Sequence, residues 1–213
     1  MIIEIFADIA CPWCYIGDTR LEKALRQRPD AEIELRWRPF QLQPGIPPEG
    51  LPWREFMVRK FGREGRMDAA FGQVAEAGKL DGLEFRFDRI SRAINTVDAH
   101  RLVLLAERSG QGQQTAQALF RAYFTDGKNL SDAEQLLEVA AGVGLDRAAV
   151  GEFLATDELR AEVEDSQKLA YQFGIQGVPF YIFDRKYGVS GAQPLATFVQ
   201  VLDRVQAEAA SRV

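Results

Sequence analysis

The amino-acid sequence predicts an α/β fold in which sheet-forming segments at the two ends of the chain are separated by a large all-helical insertion. Three observations carry that prediction. Apolar residues cluster and alternate in short runs near the N-terminus, they recur at three- and four-residue steps from about Trp53 to Phe173, and the short period returns after Gly177.

Ile2, Ile3, Ile5 and Phe6 form a β-branched and aromatic run that reads as a buried first strand, ending at Asp8. From Pro12 a helix is expected to about Gln27, since Tyr15, Ile16, Leu21, Ala24 and Leu25 hold helical spacing and Pro29 stops it. Ile33, Leu35 and Trp37 then alternate with Glu34, Arg36 and Arg38, the period of a second strand. Pro39, Pro44, Pro47, Pro48 and Pro52 exclude regular structure from the next segment, which reads as the exit into the insertion.

Within the insertion, Met67, Ala70, Phe71 and Val74, and later Leu119, Phe120, Tyr123 and Phe124, mark helix faces. Ser131 with Glu134 fits a capping box, Asp146 and Thr156 are N-cap candidates, and Gly110, Gly127, Gly142 and Gly144 separate segments. After Gly177, residues 178–183 and 187–190 read as two strands joined by a turn at 184–186, and a helix from about Leu195 to Ala209 follows. Without the middle block the order is strand-helix-strand, then strand-strand-helix, with one of the insert's last helices expected between them. That order is the thioredoxin arrangement. Residues 1–50 and 174–213 are therefore assigned to a thioredoxin-like domain, and 51–173 to an inserted helical subdomain.

The 213 residues can bury a sizeable core, and no apolar run approaches the length of a membrane span. A net charge of −5 with Lys and Arg scattered among the acids leaves no basic stripe for nucleic acid. The N-terminal MIIEIFADIACPWC has no basic leader and reaches its cysteines at once, so a cytoplasmic protein without a membrane or nucleic-acid partner is expected.

Cys11 and Cys14 are the only two cysteines, three residues apart, which is unlike a framework stapling distant segments. On the first turn of a helix their backbones are close enough for a disulfide to form and break without moving the scaffold. Unpaired N–H groups and the positive end of the helix dipole favour a thiolate at Cys11, making it the attacking sulfur. Cys14, one turn inward between Trp13 and Tyr15, is expected to be less exposed and less acidic and to resolve the mixed disulfide. Pro12 and Trp13 add no cation, so the helix terminus must do most of the acidification. A zinc site lacks ligands, because His100 is the single histidine, and no metal is expected. A pair of inert buried thiols is the bland alternative.

CPWC directly after the first strand, with Gly177-Val178-Pro179 opening a later one, resembles the DsbA family of the thioredoxin superfamily. The resemblance implies that Pro179 is a cis-proline and that Val178 and Pro179 pair with the backbone of an extended substrate beside the cysteines. More closely, ADIACPWCYIG, WRPFQLQPGIPPEG, FDRISRAINTVDAHRL and KYGVSGAQP are similar to the FrnE-like branch, relatives of hydroxychromene-carboxylate isomerase. Those isomerases typically carry Ser at the first cysteine position and use glutathione, whereas this chain keeps both thiols. The resemblance also brings the segment of Asn95, His100 and Arg101 near the site, so Asn95 and His100 are candidate pocket residues beside the plainer reading of a helix cap and a satisfied helix histidine. Trp13, Phe40, Trp53 and Phe56 could rim a binding surface, although aromatics at such spacings also suit a core.

The expected activity is exchange of the Cys11–Cys14 dithiol or disulfide with protein or small-molecule disulfides, with Pro12, Trp13, Val178 and Pro179 at the substrate. It needs no bound cofactor, with glutathione or the thioredoxin system as redox partner, and a reducing compartment favours reduction or isomerisation. The rivals are a glutathione-dependent isomerase or transferase of an aromatic metabolite, and a chaperone-like binding protein.

Overall fold

The computed structural model describes residues 1–62 and 64–210, with the side chain of residue 210 excepted. Four strands form a mixed sheet: β1 (Ile2–Ala7), β2 (Glu34–Pro39), β5 (Phe180–Phe183) and β6 (Tyr187–Ser190), in the order β2-β1-β5-β6. β1 runs parallel to β2 and antiparallel to β5, and β5 and β6 form a hairpin. In the turn between them, Asp184 and Arg185 both take positive φ, 46° and 55°, as a tight hairpin requires.

Alternation along β1 and β5 divides the core. Ile3 and Ile5 stand opposite Phe183 and Tyr181 and face the main core with Phe198 and Leu202 of α9 (Leu195–Ala210). Phe6 faces the other side and packs with Phe40, Ala170 and Ile175, beneath α8 (Arg160–Gln172). The helix α1 (Pro12–Leu25) packs on α9 and on α5 (Gly112–Phe124), so the segment carrying the cysteines touches both the sheet-associated layer and the helical block.

That block comprises α2 (Trp53–Phe61), α3 (Glu64–Lys79), α4 (Val97–Glu107), α5, α6 (Ala133–Gly142), α7 (Arg147–Leu154) and α8. Between them lie a short 3-10 turn, Phe87–Arg89, and a two-residue antiparallel ladder of β3 (Leu51–Pro52) with β4 (Arg92–Ala93). An aromatic chain joins the layers: Tyr15 of α1 stacks on Phe120 of α5 at 5.3 Å between centroids and meets Phe85 edge-on. The fold is the thioredoxin-like α/β fold with a helical insertion that the sequence pattern predicts.

Two caps differ from expectation. Asp132, not Ser131, caps α6 by accepting from Glu134 N, because the Ser131 hydroxyl accepts from Asn95 N instead. Thr156 does not start α8, which begins after Leu159 at φ 64°; its hydroxyl donates to Phe153 O and accepts from Glu158 N, closing the turn behind α7. Asp146 does cap α7, accepting from Ala149 N at 2.9 Å. Among the described residues, no helix is long and apolar enough to cross a membrane.

Candidate active site

β1 delivers the chain to a turn in which Cys11 N donates to Asp8 O at 3.0 Å. Cys11 is the N-cap of α1, with extended backbone at φ −101° and ψ 111°, and Pro12 takes the first helical position, where a missing N–H costs nothing. Cys14 N and Tyr15 N both donate back to Cys11 O, closing the first turn. The helix thus points its unpaired N–H groups toward the first cysteine.

Both cysteines are free thiols. Cys11 keeps 4% of its surface and Cys14 none. Burial pushes the Cys14 thiol well above its ordinary value, and the adjoining Cys11 sulfur acts in the same direction. The Cys11 thiol donates to the carbonyl oxygen of Val178 at 3.7 Å, and the Val178–Pro179 peptide is cis. Val178 is half-buried and Pro179 buried, with its carbonyl accepting from Gly191 N. Trp13 stands out from the helix, 39% exposed, beside Pro12. The structure therefore brings Cys11, Cys14, Val178 and Pro179 together, with Pro12 and Trp13 on the outer side.

Asn95 and His100 occupy other places. Asn95 Nδ2 donates to Ile46 O at 2.6 Å and its Oδ1 accepts from Val97 N, so it ties the proline-rich loop to the start of α4. His100 is fully buried; its Nδ1 accepts from Trp37 Nε1 at 3.1 Å, which leaves its proton on Nε2, facing Asp8 Oδ1 at 3.5 Å. Phe40 and Trp53 are core residues, whereas Phe56 is half-buried.

Asp8 is the residue that sequence reasoning passed over. It is 1% exposed; Oδ2 accepts from Leu42 N at 2.7 Å, and Oδ1 accepts from Ala10 N and faces His100. Its signal in the sequence is a carboxylate between Ile5 and Cys11, where every other residue is apolar. The Asp8 charge adds a smaller upward push on Cys14, while a hydrogen bond from the Asp8 backbone acts in the opposite direction. Beside Asp8 and Ala10 lies a crevice of about 20 Å3, lined by Leu42, Ile46, Phe56, Met57 and Ile94, which is space for about one water molecule. A cavity of about 750 Å3 lies elsewhere, under α2 and α3 against Trp53, Phe71 and Phe87. Of the two, only the small crevice is lined by Asp8, the buried carboxylate three residues before Cys11. Among the described residues no group of His, Cys, Asp and Glu could hold a metal ion.

Two nearly apposed thiols at a helix N-terminus, one reachable and one sealed, can exchange electrons with a disulfide by forming and breaking S–S bonds. Comparison with known proteins bears on this arrangement. A family model described as "DSBA-like thioredoxin domain" matches residues 2–203. A solved structure described as a probable DsbA oxidoreductase from Streptomyces coelicolor is 36% identical and superposes with a TM-score of 0.87, covering 98% of this chain and 91% of that one. At lower identity, which speaks for the fold alone, 2-hydroxychromene-2-carboxylate isomerase superposes with a TM-score of 0.76 at 17% identity over 100% of both chains. The cytosolic disulfide reductase DsbM from Pseudomonas aeruginosa, solved with GSH, superposes with 0.69 at 22% identity over 97% of this chain and 100% of that one.

Proposed function

Because the chain belongs to the family of DSBA-like thioredoxin domains, we propose that it exchanges electrons between its Cys11–Cys14 pair and disulfides of proteins or small molecules. The observation that carries this reading is the Cys11 thiol at the N-terminus of α1, directed at the carbonyl of Val178, with Cys14 buried behind it.

In the reducing direction, the Cys11 thiolate attacks one sulfur of a substrate disulfide, forming a mixed disulfide and releasing the other sulfur as a thiolate. Cys14 loses its proton and attacks Cys11 Sγ, releasing the first substrate sulfur and closing the Cys11–Cys14 disulfide. The substrate gains two electrons and the protein loses two; glutathione or a thioredoxin system restores the dithiol. Pushing Cys14 up keeps it protonated until the mixed disulfide has formed, so premature attack is avoided. The backbone at Val178 and Pro179 holds an extended substrate alongside Cys11, and Trp13 and Pro12 form its outer wall. A cytoplasmic setting, and with it net reduction or isomerisation, is part of the same proposal; the likeness to DsbM supports glutathione as the partner.

Insulin reduction with glutathione tests the reading. Cys11→Ser is expected to abolish turnover, and Cys14→Ser to leave less than about one tenth of it while accumulating mixed disulfide. Full turnover in Cys11→Ser would contradict the proposal and favour a binding protein. Full turnover of an aromatic substrate with glutathione in Cys14→Ser would favour the isomerase reading instead.

A further inference from the structure

One turn beyond Cys14, α1 buries the Asp18 side chain completely. A carboxylate in such a place calls for a cation, and the described neighbours direct theirs elsewhere. Arg20 and Lys23 of α1 are bound to Asp81 after α3, and Arg28 to Asp203 of α9. From α5 come two neutral carboxamides: Gln113 Nε2 donates to Asp18 Oδ1 at 2.7 Å, and Gln117 Nε2 donates to Oδ2. Glu22, the next turn of α1, adds a like charge. From β5, the buried Tyr181 hydroxyl has no hydrogen-bond partner and fills the space beside Gly17, where a Cβ would lie 2.4 Å from it. That hydroxyl lies within electrostatic reach of Asp18, Cys14 and Cys11 together.

Building on the reading of the cysteines as a redox pair, we propose that Asp18 sets the balance between dithiol and disulfide through its charge, held in place by Gln113 and Gln117 of the helical insertion. A rise of 1.5 Å per residue places Asp18 ~6 Å beyond Cys14 and ~10 Å beyond Cys11 along the helix axis. In a dry interior, charges at that separation interact appreciably. The attacking form of the reduced pair is the Cys11 thiolate, a charge that the disulfide form lacks, so a negative Asp18 disfavours that form and makes the protein a better electron donor. Burial raises the Asp18 carboxyl to about 7, so the effect turns on across neutral pH. Asp18 is not a catalytic residue; it acts on Cys11 without touching the sulfurs.

The test equilibrates full-length wild type, Asp18→Asn and Asp18→Ser in glutathione buffers at pH 6 and pH 8, with thiols trapped by alkylation and counted by mass. At pH 8 both variants should lie ~10-fold further toward the dithiol than wild type, and at pH 6 the three should agree within about twofold. Either variant suffices should the other fail to melt cooperatively. Equal curves at both pH values, or a gap of the same size at both, overturn the inference while leaving disulfide exchange intact. A wild type that shows no glutathione-dependent couple overturns the reading of the site itself.

Discussion

Asp8 accepts from Leu42 N through one carboxylate oxygen and from Ala10 N through the other, beside the buried His100 ring, and in doing so fixes both the turn into Cys11 and the loop that follows β2. Asp8→Ala strands these donors in a site with 1% exposure and should destabilise the protein by about 2–4 kcal/mol in denaturant unfolding. Asp8→Asn keeps one acceptor and should cost less. A loss no larger than that of an exposed-site substitution would contradict this account of Asp8. In the sequence Asp8 reads only as the end of a strand, because its partners at positions 42 and 100 are brought to it by the tertiary fold. Cys11, Cys14, Val178 and Pro179 were legible for the opposite reason: helix-terminus chemistry marks the first pair locally, and the family resemblance marks the second.

Helix α4 is anchored by Arg101, 1% exposed, which donates through Nε to Glu158 O at 2.7 Å and through Nη2 to Phe153 O and Thr156 O, with its guanidinium over the Phe153 ring. It closes the α7–α8 connection that Thr156 begins. Arg101→Met should cost about 3 kcal/mol, since three carbonyls lose a charged donor. Arg101→Lys should recover little of it, because an ammonium lacks the planar fork. Unfolding midpoints of the two variants check both statements. Elements with a long period were readable in advance: β6 spans 187–190 and α1 starts at Pro12, as the pattern indicates. The β3–β4 ladder was not, because two residues per strand carry no period. Caps were readable only where the side chain had no rival use, as at Asp146, and not at Ser131, whose hydroxyl is taken by Asn95 N.

Across the whole molecule, two carboxyls join the helical insertion to the thioredoxin-like layers: Asp18 under α5, and Glu107 at the end of α4, whose Oε1 accepts from Trp37 N at the edge of β2. Burial is the main cause that raises both to about 7. Unfolded, such groups titrate near 4, so between roughly pH 4 and pH 7 the folded state holds the extra protons. Their contribution to stability is therefore fully present below pH 4 and lost as pH rises through about 7. Asp18→Asn should gain in melting temperature relative to wild type as pH rises from 5 to 8, a trend that scanning calorimetry would show; a constant difference would contradict it. Neither carboxyl stands out in the sequence, where both sit among solvated-looking helix residues. The central claim, that Cys11 attacks and Cys14 resolves, is tested most directly by intact mass after exposure to glutathione disulfide. Cys14→Ser should carry one glutathione on Cys11, Cys11→Ser none, and wild type should end as the Cys11–Cys14 disulfide without adduct. An adduct that forms equally well without Cys11, or a wild type whose two thiols never pair, would contradict the account.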